Sequence, residues 1–161
     1  MKTTDYRYRL ARSDVIGWLA MHEESLLWIM LNPSTADDNQ DDATIRRVKA
    51  FTRRLGYAQL TVVNLYAWRA TDPRDLWSAD DPVGPDNDAI LADESWTARM
   101  DGSPIVAAWG AHAKPERVAE VLAIPFLASR LHCLGVTKSG APRHPLYLPG
   151  DTALVPWPVA S

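Results

Sequence analysis

Residues 32–37, Asn-Pro-Ser-Thr-Ala-Asp, bring together side chains that could bind a ligand or take part in catalysis. They follow the apolar residues 26–31, a run with the length and composition of a strand buried on both faces. Pro33 has no N–H group, so it ends the strand and holds Asn32 in an extended conformation. Ligands of open α/β sheets bind outside the carboxyl ends of the strands. The side chains expected there are Asn32, Ser34, Thr35 and Asp37. A strand-to-helix turn with capping residues explains the same pattern equally well.

A second apolar run, residues 60–65, carries Asn64 close to its end. Two predicted strands therefore place a carboxamide near their carboxyl ends. A predicted helix that begins after Asp42 carries Arg46 and Arg47 in its first turns, close enough to the loop after Asn32 for an anion to reach them. A solvated helix face explains the later basic residues of that helix.

Four apolar runs alternate with helical patterns, which predicts an α/β domain with a mostly parallel, four-stranded, helix-covered sheet. The runs are residues 26–31, 60–65, 104–109 and 131–134, and residues 6–10 and 154–157 are predicted edge strands. Helices are predicted to begin near residues 41–44, near residues 86–88 and at Pro115. A chain of 161 residues has the usual size of one domain, so we expect a single domain over residues 1–161.

The composition excludes several classes of function. A net charge of -3 provides no global basic field for nucleic acid, so any contact with DNA has to be local. The one cysteine, Cys133, cannot form an internal disulfide, and no run reaches the length of a signal peptide core or a membrane span. We therefore predict a cytoplasmic protein without membrane contact. The fingerprints of dinucleotide-binding folds, P-loops, zinc sites and calcium loops are absent, so no cofactor and no metal are predicted.

The order of the motifs carries a resemblance to known proteins. Residues 31–37, 41–44, 64–73, 108–110 and 140–148 resemble a bacterial and phage family known only as a domain of unknown function, DUF1643. More distantly, the chain resembles the uracil-DNA glycosylase superfamily. There, successive strands end in a water-positioning Asp-Pro or Asn-Pro, a base-reading Asn and a Trp-Gly, and a His-Pro follows in the next loop. The matching residues here, in the same order, are Asn32-Pro33, Asn64, Trp109-Gly110 and His144-Pro145.

This resemblance implies a three-layer α/β/α sandwich and a DNA glycosylase-like hydrolase of DNA repair or modification. Asn32 would hold a water molecule, His144 would donate a hydrogen bond to the departing base, and both would be catalytic. Asn64 would read the flipped base through its acceptor and donor. The other residues expected to bind substrate are Pro33, Ser34, Thr35, Asp37, Arg46, Arg47, Arg69, Trp109 and Arg143. The four arginines would form a local phosphate-binding patch on an otherwise acidic protein.

Three other functions fit the sequence. An enzyme that acts on a free nucleotide or nucleoside suits the acidic net charge better than duplex DNA does. A module that recognises a modified base or a nucleic-acid end would need no catalysis. A hydrolase triad of Ser34, His144 and Asp37 is possible by residue type, but the chain lacks the GxSxG elbow. The expected partner is thus nucleic acid, DNA first, or a nucleotide, and the sequence indicates no oligomeric state.

Overall fold

The computed structural model of the protein describes residues 5–13, 20–34 and 40–158. In chain order, the elements are β1 (Leu10–Ser13), β2 (His22–Met30), α1 (Ala43–Arg54), β3 (Tyr57–Asn64), α2 (Asn87–Asp101), β4 (Ile105–Ala107), α3 (Pro115–Leu122), β5 (Leu131–Cys133) and β6 (Val155–Pro156). Short 3₁₀ helices cover Pro73–Ser78, Ala128–Arg130 and Pro145–Tyr147. No helix in these ranges is long and apolar enough to cross a membrane.

The strands form one mixed sheet in the order β1-β3-β2-β4-β5-β6. β2 pairs in parallel with β3 and β4, and β4 pairs in parallel with β5. β1 and β6 are antiparallel strands at the two edges. The predicted α/β class is confirmed, and the described sheet is mixed with six strands. The predicted edge strand at residues 154–157 contains β6, whereas β1 begins at Leu10, where the predicted strand at residues 6–10 ends. The two edge strands are short and have one exposed side, so they lack the continuous apolar run that marks the central strands.

Helices cover both faces of the sheet. In β2, Leu26, Trp28 and Met30 face the side on which α1 packs with Val48 and Phe51. The alternate residues of β2 face the other side, where α2 and α3 complete a second apolar cluster. The central strands are buried on both faces, which explains why their sequences are apolar without alternation.

Helix α1 is fixed to the sheet by a buried polar contact as well as by apolar packing. The indole Nε1 of Trp28 donates to Thr52 Oγ1 at 3.0 Å, and that hydroxyl donates to the carbonyl of Val48 at 2.7 Å. At the start of the helix, Asp42 Oδ1 accepts from the backbone N–H of Ile45 at 2.8 Å, which is an N-cap bond. These contacts determine where the first turn of α1 lies relative to the end of β2.

Replacing Thr52 by Val should destabilise the protein by about 1–3 kcal/mol, because the buried Trp28 Nε1 would lose its acceptor. Thr52→Ser is the matched control, since it keeps the hydroxyl and loses only a methyl group. Urea unfolding of both variants measures the difference. Equal stability of Thr52→Val and the wild type would show that the indole bond contributes nothing.

Candidate functional site

A cavity of about 710 Å³ lies where the central strands end, within the size range of small-molecule sites. Its walls come from residues that follow β2, β3, β4 and β5 in the sequence, so it occupies the crevice at the carboxyl edge of the sheet. Seven of the residues singled out in the sequence line it together: Asn32, Pro33, Ser34, Asn64, Trp109, Arg143 and His144. Thr35 and Asp37 lie outside the described residues.

Asn64 forms part of the cavity wall in a position where an apolar side chain would be expected. Leu60 and Val62 of β3 face the side of α1, and strand alternation puts Asn64 on the same face, beside its register partner Met30. Its side chain is only 3% exposed, and Oδ1 has no hydrogen-bond partner among the described residues. Leaving such an oxygen unpaired costs about 1–3 kcal/mol. A ligand that donates a hydrogen bond to Oδ1 would remove this cost.

The backbone of Asn64 is held from behind by two buried polar side chains. Asn87 Nδ2 donates to the carbonyls of Asn64 and Leu65 at 2.9 and 3.2 Å. Arg117 is 4% exposed and donates from Nε to the same Leu65 carbonyl at 2.8 Å. Helices α2 and α3 thus satisfy the carbonyl groups at the end of β3 and fix the direction in which Asn64 points.

The carboxamide of Asn32 is oriented by its own backbone surroundings. Its Nδ2 donates to the carbonyls of Ala70 at 2.7 Å and Pro33 at 3.0 Å. The N–H of Ala70 returns a bond to the Pro33 carbonyl at 3.0 Å. Because Nδ2 is occupied, Oδ1 is the atom of this carboxamide that can accept a hydrogen bond from a water or a ligand.

His144 presents a hydrogen-bond donor rather than a cation. Its Nδ1 accepts from the backbone N–H of Leu146 at 3.2 Å, so the proton of the neutral ring lies on Nε2. Burial lowers the pKa of His144, and the nearby Asp42 carboxylate opposes this shift only in part. Gly110 lies beside this loop with a φ of 75°, a backbone conformation that favours glycine.

Ser34 and Asp42 hold the loop that connects β2 to α1. The Ser34 hydroxyl donates to Asp42 Oδ2 at 2.9 Å, while Oδ1 of the same carboxylate caps α1. The imidazole Nδ1 of His144 is engaged with Leu146. A Ser-His pair of the kind that activates a nucleophile requires a bond between the two side chains. The bonds formed by Ser34 and His144 therefore favour a supporting role for Ser34.

Trp109 and Pro33 are buried wall residues. The Trp109 ring is 2% exposed and packs edge-to-face against Trp157, with the ring centres 5.3 Å apart. Trp109 also belongs to the apolar cluster on the side of α2 and α3. Because Trp157 and the core cover the Trp109 ring, Trp109 contributes to the shape of the cavity wall rather than a ring face on which a ligand could stack.

The arginines expected around the site are placed differently from the prediction. Arg143 lines the cavity, whereas Arg46, Arg47 and Arg69 are not among its lining residues. Arg46 donates to the carbonyl of Asp41 at 2.7 Å. Arg47 donates to the carbonyl of Leu148 and lies over the ring of Phe51. Of the four arginines, Arg143 lines the cavity, and a phosphate-binding role of the other three stays a prediction.

Several residues of the site could not be recognised from the sequence. Arg7, Thr71, Thr137 and Tyr147 line the cavity, and Asn87 and Arg117 support it from behind. Arg7 belongs to an alternating Tyr-Arg segment, which signalled only an edge strand. Asn87 carries the signal of a helix cap and Arg117 that of a solvated helix face. Within the described ranges, no group of three or more His, Cys, Asp or Glu residues could hold a metal ion.

The model of a family described as "Protein of unknown function (DUF1643)" matches residues 7–146. The chain belongs to the DUF1643 family. The matched range contains the cavity-lining residues from Arg7 to Leu146, and Tyr147 and Leu148 lie just beyond its end. No curated protein and no solved structure matches this DUF1643 chain, so the resemblance to uracil-DNA glycosylases has no support from these comparisons.

Replacing Asn64 by Leu should raise the free energy of unfolding by about 1–3 kcal/mol, because it removes a buried oxygen that has no partner. Asn87→Leu is the matched control: Asn87 is also buried with an unpaired Oδ1, but its Nδ2 satisfies two carbonyls. That variant should be destabilised. Urea denaturation measures both. A loss of stability in Asn64→Leu would show that the carboxamide is part of the core and not of a ligand site.

The stability of the protein should fall as the pH decreases below about 6.5. Burial lowers the pKa of His144 in the folded state, so the unfolded chain binds more protons in this range. The contribution of neutral His144 to the free energy of unfolding is fully present above about pH 6.5, and it is lost as the pH falls through the pKa of His144 in the folded state. In His144→Asn the N–H of Leu146 can still be capped but the side chain does not titrate, so its dependence on pH should be flatter. Identical profiles for the two proteins would contradict this assignment.

Proposed function

We propose that this DUF1643 protein recognises a nucleobase and hydrolyses its N-glycosidic bond, in the manner of a DNA glycosylase. The observation that carries the proposal is the unpaired, buried Oδ1 of Asn64 in a cavity that also presents the donor Nε2–H of His144. The proposal includes a three-layer fold of the uracil-DNA glycosylase type. Its support is the placement of helices on both faces of the sheet and of the ordered motifs on one cavity.

Base recognition would rest on Asn64. A carboxamide offers an acceptor and a donor side by side, which complements the amide edge that most nucleobases present. The neighbouring wall is apolar, with Leu10, Met30 and Val62 available to pack against a ring. Enzymes that act on a base read it out of the stack in this way, through hydrogen bonds to its edge and apolar contact with its faces.

The reaction would divide between His144 and Asn32. The bond between the sugar and the base breaks first, and its electron pair leaves with the base, whose developing negative charge accepts a hydrogen bond from His144 Nε2–H. A water molecule that donates to Asn32 Oδ1 then forms the new bond to the anomeric carbon. The proton released by this water ends on the departed base or in solvent. A neutral imidazole suits this role, because it donates without having to lose a positive charge.

These two groups can account for modest catalysis. A preorganised donor at a developing charge contributes about 3–4 kcal/mol, and acid–base assistance contributes roughly 10²–10⁴-fold. Asn32 has no charge with which to stabilise a cationic sugar or to remove a proton. The proposed enzyme is therefore a slow glycosylase, whose rate depends on placing water and on stabilising the leaving base.

A free nucleotide is the second candidate substrate, and the placement of the arginines favours it. Arg46 and Arg47 are engaged with backbone carbonyls and do not line the cavity. A net charge of -3 provides no global basic field of the kind that favours binding of duplex DNA. A single nucleotide needs only one phosphate contact.

The test is incubation of the protein with oligonucleotides that carry a panel of modified bases, scored for abasic sites, in parallel with free nucleotides scored for released base. His144→Asn should lower turnover at least 10-fold with little change in KM, because its donor acts on the transition state. Asn64→Asp should instead change which base is preferred, since it exchanges a donor for an acceptor. If no substrate releases a base, the hydrolase proposal is rejected and a binding module is the function that remains.

The glycosylase resemblance implies that Asn32→Asp keeps or raises the rate, but the hydrogen bonds of Asn32 predict the opposite outcome. A carboxylate at this position would orient water and stabilise a cationic sugar, but it cannot donate to the carbonyls of Ala70 and Pro33. Asn32→Asp should therefore lose stability and activity together. The pair of bonds supports a structural role for the donor of Asn32 beside the proposed role of its acceptor.

A further inference from the structure

We propose that Arg143 forms a preset phosphate-binding subsite at the rim of the cavity. Its guanidinium is exposed to solvent and lines the cavity together with Thr137 and His144. Only its Nε is engaged within the described chain, in a bond of 2.9 Å to the carbonyl of Val136. The two terminal nitrogens are therefore available as a fork, the arrangement that binds a phosphate through two parallel hydrogen bonds.

The fork is held in place by the loop that carries it. The backbone N–H of Arg143 donates to the carbonyl of Gly135 at 2.9 Å. Gly135 has a φ of 95°, and a Cβ added there would meet the Arg143 side chain at 3.6 Å. The glycine thus provides the turn and the surface on which the arginine stem lies. The bond at Nε restricts the arginine side chain, so less side-chain entropy is lost when an anion binds, which favours affinity.

The loop itself is rigidly bonded. Val136 and Pro142 form a bridge across it, and the N–H of Thr137 donates to the carbonyl of Ala141 at 2.8 Å. The indole of Trp157 donates to the carbonyl of Gly140 at 3.0 Å. An arginine on such a loop keeps its position relative to the cavity, in contrast to one on a mobile surface segment.

The charges around Arg143 favour an anionic ligand. No carboxylate in the described part of the chain forms an ion pair with it, whereas Arg117 is paired with both Asp88 and Glu120. Asp42 is the carboxylate among the residues that line the cavity, and both of its oxygens already accept hydrogen bonds. An arginine that is anchored, unpaired and directed along a ligand cavity is best explained by a negative group on the ligand.

The identification of this group as the phosphate of a nucleotide rests on the proposed function, but anion binding at Arg143 does not. The phosphate can belong to a free nucleotide, which carries a phosphomonoester, or to a nucleic acid, which carries phosphodiesters. The two differ in charge, since a phosphomonoester is close to a dianion at pH 7 and a phosphodiester is a monoanion.

The experiment is an NMR titration of the arginine Nε–H signals with inorganic phosphate, methyl phosphate and dimethyl phosphate at constant ionic strength. The signal of Arg143 is identified by its absence in Arg143→Gln. We expect a saturable shift of this signal in the wild type. In Arg143→Gln the affinity for phosphate, measured from the shifts of the neighbouring backbone amides, should be at least 10-fold weaker. Stronger binding of methyl phosphate indicates a free nucleotide, and comparable binding of dimethyl phosphate indicates nucleic acid.

Lys138→Gln is the matched control, because it removes the same charge from an exposed position of the same loop that does not line the cavity. Its affinity should stay within about two-fold of the wild type. Equal weakening by the two variants, or no saturable shift in the wild type, would overturn the subsite. Asn64→Leu should bind phosphate normally, so failure of the base panel and failure of the phosphate subsite are separate results.

Discussion

The carboxyl ends of the parallel strands meet at one edge of the sheet, and the backbone groups that emerge there have to find partners outside the strand ladder. Asn32 satisfies the carbonyls of Pro33 and Ala70, and Asn87 satisfies those of Asn64 and Leu65. Side chains that complete the backbone therefore also form the site. The requirement that buried polar groups be paired determines which atoms remain for a ligand.

Asn64 and Asn87 are neighbouring asparagines with different roles in the structure. Both are buried, and both have an Oδ1 without a partner. The cost of burying Asn87 is offset by the two hydrogen bonds that it donates to the end of β3. No hydrogen bond between the Asn64 side chain and another described residue offsets its burial, and Asn64 lines the cavity. An unfavourable group that is retained at a concave site is a sign that stability has been exchanged for binding.

The positions of Asn32 and Asn64 on one cavity could be predicted from the sequence, because long apolar runs mark buried strands and the strand ends then follow. The edge strands could be predicted less precisely: β6 lies within residues 154–157, but β1 begins only at Leu10, since a half-exposed strand of two to four residues has no distinctive pattern. Of the four arginines expected at the site, Arg143 lines the cavity, but the sequence did not show that Arg46 and Arg47 turn to backbone carbonyls. Sequence proximity to the loop after Asn32 suggested that Arg47 reaches the cavity, but a helical side chain points along its own face of the helix.

Arg47 connects α1 to the segment that follows His144. Arg47 and Arg54 donate to the carbonyls of Leu148 and Thr152, so α1 holds the segment that follows His144. The first turn of α1 is capped by Asp42, whose carboxylate also bonds Ser34 and acts on the pKa of His144. One helix thus supports the loop after Asn32 at its beginning and the loop after His144 along its length. The separation of Asn32 and His144 across the cavity is consequently set by the packing of α1 on the sheet, where Thr52 and Trp28 make their buried contact.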